Sequence, residues 1–335
     1  DQYNVHPSTM EALQFYEGAQ MASSELEKDS IKVTITAFDS SNKNRVGTLL
    51  AKPEVASKDI LIGEFSNSVL SEALPVVKNN DQNLVLLKAF RSKLLMHYPQ
   101  VSLAKPSSAN QCRLMADYVQ DKYKWSDMYI AFQDVKREKD LAAIFTESLD
   151  SVQLFSHSEM SGNENLMSSS DEEIKKLFSM MDSTKHNVIF ITSSNEPFVN
   201  SFLRRLYTKS KWDITIVGLP TWKKFNSIDT EILNHFNLHI FSTDYIDYKD
   251  QSVNKFRKAY IAEYKTDPLY EAYEGYFLVH YLANMYHSFG DKYLEFISDR
   301  PDKLFTFEAI VEGGGLENSH FSVLSYKNYE FKKVN

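Results

Sequence analysis

The sequence contains little cysteine, and this scarcity limits the chemistry that the chain can carry out. Cys112 is the only cysteine among 335 residues, so an internal disulfide and a cysteine-based metal cluster are both excluded. Such scarcity suits a reducing cytoplasm and equally a disulfide-free bacterial periplasm. Because Cys112 precedes an apolar helical pattern, we predict that it is a small, buried and unreactive core residue.

Long apolar runs and blocks of positive charge are also absent. The longest apolar runs, such as VIFI at 188–191, are far too short to span a bilayer. The net charge is −8 with both signs interspersed, and no Lys/Arg block indicates a nucleic-acid-binding face, so we expect no nucleic-acid partner. No signal peptide is recognisable at Asp1, so we expect either a cytoplasmic protein or a mature or trimmed form.

Glycine is scarce as well, and the glycine-rich motifs of phosphate binding are missing. The chain has 10 glycines and contains no G-x-G-x-x-G, P-loop, G-x-S-x-G or H-E-x-x-H motif. EGGGLEN at 312–318 is followed by strand-like residues, so it predicts a hairpin turn. His235 and His239 have the i,i+4 spacing of a metal site, but a strand-like stretch around His239 would separate them. We therefore predict no catalytic residue, no cofactor and no metal site.

Apolar β-branched runs alternate with amphipathic helical patterns through the first 250 residues. Such alternation predicts parallel sheets covered by helices on both faces. After residue 250, two helices follow in sequence, and then short antiparallel strands around the glycine cluster. The predicted strands are 31–38, 59–63, 84–88, 128–132, 152–155, 188–192 and 214–218. The predicted helices are 8–27, 68–79, 110–123, 138–149, 171–182, 197–209, 228–235, 252–265 and 270–288.

The loops that follow the predicted strands are the candidate site loops, because parallel α/β sheets bind ligands outside the carboxyl ends of their strands. In LIGEFSNSVLSEALPVV at 61–77, a strand, a turn and a helix follow one another, and Ser66, Asn67 and Ser68 stand at the helix start. Exposed N–H groups there attract a carboxylate or a phosphate, but serine and asparagine also simply cap helices. Both interpretations stay open at this point. The candidate loops are 39–42, 64–68, 89–92, 133–137, 193–195 and 219–222.

Five segments carry a resemblance to a known family. ALQFYEGAQMASSELEKDSIKVTITAFDS resembles a GA…A…E helix followed by a strand that ends in Asp, and ILIGEFSNSVLSEALPVVKNN resembles an IGP-S-S…A-P stretch. The three later segments are AKPSSANQCRLMADYV, VNSFLRRLYTKSKWDITIVGLPTW and FRKAYIAEYKTDPLYEAYEGYFLVHYL. In this order, from about residue 12 to the end, they resemble the type I periplasmic binding proteins of the Leu/Ile/Val-binding class.

The resemblance implies an α/β fold of two doubly wound parallel-sheet lobes, which a hinge of three crossovers joins and which close on a ligand. The crossovers are expected near Pro106, Ser242 and Phe305. The family's first strand, which precedes the first helix, is not visible in DQYNVHPS. We therefore expect that the chain begins downstream of it, or that residues 1–7 enter the sheet irregularly. The expected lobes are 1–106 plus 246–300, and 107–243 plus 306–335 with the C-terminal strands.

The resemblance also implies a set of ligand-binding residues. Ser66 and Ser68 match the hydroxyls that hold an amino acid's carboxylate in the family. The acid that pairs with the ligand's ammonium is expected after strand 214–218, where LPTW supplies none. Arg91 and Arg137 suit a carboxylate or phosphate, unless both are solvated surface residues, so we expect an anionic ligand rather than a plain branched-chain amino acid. The expected ligand-binding residues are Ser66, Asn67, Ser68, Phe90, Arg91, Ser92, Gln133, Asp134, Arg137, Ser194 and Trp222.

These observations favour a periplasmic or otherwise extracytoplasmic solute-binding protein that captures a small ligand, as in an ABC importer or a sensor. A membrane transporter or an envelope protein is the expected partner. The alternative is a cell-envelope or signalling interaction module that keeps the fold without binding a small molecule. The missing catalytic motifs disfavour a third class, a cytoplasmic α/β enzyme.

Overall fold

Two mostly parallel β-sheets, each in its own compact unit, form the framework of the protein. The structure is a computed structural model that describes residues 6–39, 43–149, 153–157 and 174–335. The first unit consists of Asp1–Ser107 and Asp244–His320, and the second consists of Ser108–Thr243 and Phe321–Asn335. None of the described helices is both long and apolar enough to cross a membrane.

Strands and helices alternate along most of the chain. The strands are β1 (Ile60–Gly63), β2 (Asn83–Leu86), β3 (Val101–Leu103), β4 (Asp127–Gln133), β5 (Gln153–His157), β6 (Asn187–Ile191), β7 (Ile214–Gly218), β8 (His239–Ser242), β9 (Phe307–Ala309), β10 (Leu316–Asn318), β11 (Ser322–Lys327) and β12 (Glu330–Lys333). The helices are α1 (Pro7–Lys28), α2 (Lys43–Leu50), α3 (Pro53–Ala56), α4 (Asn67–Asn79), α5 (Ser108–Lys122), α6 (Lys136–Ser148), α7 (helical residues 174–180), α8 (Glu196–Leu206), α9 (Thr230–His235), α10 (Gln251–Tyr264), α11 (Tyr270–Phe289) and α12 (Tyr293–Phe296).

Each sheet brings the carboxyl ends of several strands to one edge. The first unit has the strand order β1-β2-β3-β10-β9, in which only β9 is antiparallel to its neighbour. The second unit has the order β12-β11-β8-β7-β6-β4-β5, in which β4 to β8 are parallel and β11 and β12 are antiparallel. We call the loops that leave β1, β2, β3, β4, β6 and β7 the carboxyl edges. They are 64–68, 87–92 and 104–107 in the first unit, and 134–137, 192–195 and 219–222 in the second.

Helices α1 and α11 pack backbone to backbone in the first unit. A Cβ atom at Gly18 would lie 2.0 Å from the carbonyl oxygen of Ala272, and one at Gly275 would lie 2.1 Å from that of Phe15. Only glycine therefore fits at these two crossing points. The Tyr260 hydroxyl of α10 also donates a hydrogen bond to the Glu17 carboxylate of α1. The two glycine crossings fix the position of α11 against α1, and α11 contributes a buried carboxylate to the carboxyl edge described below.

The predicted strand at 31–38 is wrong, because residues 31–39 have no regular secondary structure. Partial burial and exposure alternate along the segment as in a half-buried strand, and Val33 and Ile35 pack against the core of the first unit. No described strand pairs with this segment, and β1 is the last strand of the sheet on this side. The apolar pattern was therefore present without the ladder of backbone hydrogen bonds that makes a strand.

The third boundary between the units also differs from the prediction, which placed 306–335 in the second lobe. Leu316 of β10 pairs with Ser102 of β3, and β10 pairs in turn with β9. Residues 306–320 therefore belong to the first unit, and only Phe321–Asn335 belong to the second. The hairpin predicted at 312–318 is confirmed, because β9 and β10 pair antiparallel on either side of the glycine cluster.

Candidate functional site

The first candidate group lies at the start of α4, on the carboxyl edge of the first unit. Ser66 is the N-cap, and its hydroxyl accepts a hydrogen bond of 3.4 Å from the Val69 N–H. The hydroxyls of Ser66 and Ser68 are 3.0 Å apart, and Ser66, Asn67 and Ser68 are all exposed. Because the first N–H groups of a helix lack intrahelical partners, this start caps the helix and also offers donors to an anion in solvent.

The loop after β2 turns one predicted ligand-binding residue inward. The Ser92 hydroxyl donates to the Glu317 carboxylate at 3.0 Å and lies 2.8 Å from the Ser107 hydroxyl. The Ser107 N–H also donates to Glu317, at 2.5 Å, and Glu317 is 1% exposed. Ser92 thus belongs to a buried hydrogen-bond network with Glu317 and Ser107. Phe90 is half-buried and packs against the core, and Arg91 is exposed.

A lysine and a buried glutamate meet at the same edge, after the middle strand of the sheet. Lys105 Nζ lies 3.5 Å from Glu274 Oε1 and 5.0 Å from the ring centroid of Tyr270. Glu274 is 1% exposed, and within the described structure its Oε1 atom has no well-formed hydrogen bond. Burial raises the pKa of the Glu274 carboxyl to about 7, although Lys105 acts in the opposite direction.

A second ion pair joins the first two loops of this edge. Glu64 follows β1, Lys88 follows β2, and their side chains form a salt bridge while both stay about half exposed. The carboxyl edge of the first unit therefore carries three cationic side chains, the carboxylates of Glu64, Glu274 and Glu317, and the exposed hydroxyls of α4. The cations are Lys88, Arg91 and Lys105.

The carboxyl edge of the second unit is bonded largely to itself. The Gln133 N–H donates to the buried Glu138 carboxylate at 2.7 Å, and the Gln133 side-chain oxygen accepts from the Ser193 hydroxyl at 3.4 Å. The Trp222 indole N–H donates to the Ser193 carbonyl at 2.9 Å, and a Cβ at Gly218 would lie 2.5 Å from the Trp222 ring. Burial raises the pKa of Glu138, while its hydrogen bonds to Ser193 and Gln133 lower it.

The remaining predicted residues of this edge lie nearer the surface. Asp134 is exposed and forms a salt bridge with Lys139. Arg137 is exposed in the first turn of α6, and Ser194 is half-buried after β6. Each carboxyl edge thus presents one exposed arginine, Arg91 in the first unit and Arg137 in the second.

Comparison with solved structures shows which known fold this is. No protein-family profile matches the sequence, and no curated protein sequence matches it. The structure is similar to a putative branched-chain amino acid ABC transporter protein from Rhodospirillum rubrum, with a TM-score of 0.73 and 14% identity over 98% of this chain and 96% of that chain. The chain has the fold of the type I periplasmic binding proteins. The predicted fold is therefore confirmed.

Two further structures with the type I fold were solved with ligands. An ABC transporter substrate-binding protein from Desulfitobacterium hafniense in complex with Leu has a TM-score of 0.64 and 16% identity over 96% of this chain and 95% of that chain. A solute-binding protein of an ABC transporter from R. palustris in complex with benzoate has a TM-score of 0.51 and 12% identity over 96% and 91%. At these identities the likeness is one of fold.

Sequence reasoning missed the roles of three buried carboxylates, Glu138, Glu274 and Glu317. Glu274 stands in YEAYEGYFL, four residues after Tyr270 and four before Leu278, so it falls on the apolar stripe of a helix. A charged residue in such a stripe is the signal that points to it. Glu138 and Glu317 carry no comparable signal, because their partners are distant in sequence or belong to the backbone.

Proposed function

We propose that the protein is an extracytoplasmic solute-binding protein that captures a small ligand at the carboxyl edges of its sheets. The observation that carries this proposal is the group of donors on the edge of the first unit: the exposed Ser68 hydroxyl at the α4 start, Arg91 and the Lys105 ammonium. Doubly wound α/β folds bind their ligands at such an edge. The likeness to substrate-binding proteins over nearly the whole chain supports the same assignment.

Binding without catalysis, followed by delivery to a membrane transporter, completes the proposal. The relatives in fold are described as parts of ABC transporters, so we propose a transporter as the partner and a location outside the cytoplasm. We propose a ligand that carries a carboxylate or another oxyanion. Arginine and lysine on the carboxyl edges suit such a group, and loop 219–222 supplies no carboxylate for a ligand ammonium.

A thermal-shift screen tests this function. The compounds are leucine, isoleucine, valine, glutamate, succinate, benzoate and a peptidoglycan disaccharide-peptide. A ligand present at 100 times its dissociation constant stabilises the fold by about 2.7 kcal/mol, which gives a shift of several degrees. We expect such a shift with at least one of the small compounds of net negative charge, which are glutamate, succinate and benzoate. A screen in which none of these compounds shifts the transition contradicts the proposal.

The second candidate function is an interaction module of the cell envelope that binds no small solute. The observation that favours it is that three predicted ligand-binding residues, Ser92, Gln133 and Trp222, already form hydrogen bonds within the protein. A screen in which no compound shifts the transition favours this second function over solute capture.

A further inference from the structure

Lys105 lies at the centre of the carboxyl edge of the first unit and has N–H donors that its described contacts do not use. It follows β3, the middle strand of the first unit's sheet, and β2 and its loop with Arg91 lie next to it. An ammonium group has three N–H donors. Its contact with Glu274 Oε1 is 3.5 Å, beyond the usual range of a hydrogen bond, and its other described contact is the face of the Tyr270 ring. The Lys105 side chain is 24% exposed, so the ammonium remains within reach of a solute.

The two contacts hold this ammonium without using up its donors. A ring face attracts a cation through its quadrupole and accepts no conventional hydrogen bond. Glu274 is fixed by the helix crossing at Gly275, next to it in α11. A lysine held in this way loses little further side-chain entropy when a ligand arrives, and that favours binding.

We propose that Lys105 is the anion-binding residue of the first unit, and that Glu274 is the positioning residue that controls how much of the Lys105 charge is offered to the ligand. The inference rests on the proposed solute-binding function and names its ligand class: an oxyanion, either a carboxylate or a phosphate. The exposed hydroxyl of Ser68 and the start of α4 lie on the same edge and complete the set of donors.

The protonation state of Glu274 makes anion binding by Lys105 depend on pH. Lys105 is the cation that faces the carboxyl group, while Glu271 on the same helix and Glu64 after β1 act on it as like charges. Tyr270 contacts the ammonium from the side of α11. Because burial raises the pKa of Glu274 to about 7, the acid is mostly neutral at pH 6 and mostly ionised at pH 8. An ionised Glu274 competes with the ligand for Lys105, so anions bind more tightly at pH 6.

A purely structural ion pair predicts a different pattern. In that case changes at Lys105 alter the stability of the first unit and leave ligand affinity unchanged. Lys105→Met alone would leave the buried Glu274 carboxylate without its cationic partner, which is destabilising. Lys105→Met is therefore combined with Glu274→Gln. The double variant removes both charges and keeps side chains of similar size. Lys78→Met is the matched control, because Lys78 is an exposed lysine in the last turn of α4.

The experiment is titration calorimetry of the full chain with succinate, benzoate, inorganic phosphate and leucine at pH 6 and pH 8. For succinate or benzoate (a carboxylate site) or phosphate (a phosphate site), we expect the affinity at pH 6 relative to that at pH 8 to be about tenfold higher in the wild type than in Glu274→Gln. Glu274→Gln should bind benzoate, whose charge is the same at both pH values, equally at pH 6 and pH 8. The double variant should bind about tenfold to a hundredfold more weakly than Glu274→Gln, and Lys78→Met should match the wild type.

Four results overturn the inference, and the last two separate its failure from that of the proposed function. Anion binding that survives in the double variant at the strength of Glu274→Gln removes Lys105 from the site. A pH dependence of binding that is the same in the wild type and in Glu274→Gln removes Glu274 from the mechanism. Leucine binding without any anion binding contradicts the inference and leaves a solute-binding function standing, whereas no binding of any compound contradicts both.

Discussion

Acid should destabilise the second unit through His239, which is fully buried at the start of β8. His239 Nδ1 lies 2.7 Å from the Asn237 carbonyl oxygen, so Nδ1 carries the proton and donates it. The lone pair of Nε2 then faces the Lys122 ammonium at 3.3 Å and the Tyr123 hydroxyl at 3.4 Å. Protonation of Nε2 would place a buried cation beside the Lys122 ammonium and abolish the acceptor for both donors.

The size of the effect follows from the pKa of the imidazole. Burial is the largest cause that lowers the pKa of His239 from 6.5 to about 4, and Lys122 acts in the same direction. Because the folded-state pKa is lowered, the contribution to stability is complete above pH 6.5 and is lost as the pH falls toward 4. Integration of this linkage from pH 7 to pH 5 gives a loss of about 2 kcal/mol in the free energy of unfolding.

Urea unfolding followed by tryptophan fluorescence measures this loss in the right part of the molecule. All three tryptophans, Trp125, Trp212 and Trp222, belong to the second unit. His239→Gln removes the titrating group, so its stability should fall less than that of the wild type between pH 7 and pH 5, by about 2 kcal/mol. His97→Gln, at an exposed position of the first unit, is the control and should follow the wild type. Equal losses in His239→Gln and the wild type would refute the reasoning.

Three further predictions concern the packing of the first unit, the lone cysteine and the start of α4. Gly18→Ala should destabilise the first unit by about 1–3 kcal/mol or more, since its Cβ meets backbone, as urea unfolding monitored by circular dichroism will show. Gly47→Ala in α2, whose Cβ would meet only a Glu72 side chain at 3.7 Å, should be neutral or stabilising, and equal losses in the two variants would contradict the helix-crossing argument. Cys112 is buried, and burial raises its thiol pKa to about 12, so a thiol reagent should label it only in urea; rapid native labelling would disprove this. Ser66→Ala should cost about 1 kcal/mol of stability without ligand, while Ser68→Ala should cost little, and the reverse order would argue against Ser66 as the cap.

The order of elements was readable from the sequence because most of them have strong local signals. β4, β6 and β7 are short β-branched or aromatic runs buried throughout almost their whole length, as expected of parallel strands covered on both faces. The helix start at Ser66 was readable for the same reason, since a hydroxyl residue stands between a strand and an amphipathic run. Such features depend on residues close together in the chain, so they can be predicted from a single sequence.

Features that depend on contacts between residues far apart in the sequence could not be predicted from the sequence. Residues 31–38 have the alternation of a strand, but pairing depends on a neighbour that no local pattern reveals. Likewise, β10 joins the first unit because it pairs with β3, more than 200 residues earlier in the chain. The Glu317 carboxylate joins Ser92 and Ser107 across a similar separation. These contacts arise from tertiary packing, so the local sequence pattern does not predict which residues form them.

The two carboxyl edges differ in how much of their polar chemistry remains available to a ligand. In the second unit, Gln133, Ser193 and Trp222 are bonded to one another and to buried Glu138. A ligand that recruited one of these groups would first have to break a buried hydrogen bond, at a cost of about 1–3 kcal/mol for each group left unpaired. In the first unit, the Lys105 ammonium and the Ser68 hydroxyl can accept a ligand without such a loss. If the protein binds a solute as proposed, we therefore expect the first unit to recognise the ligand's charged group, and its lysine and hydroxyl donors to favour an anion.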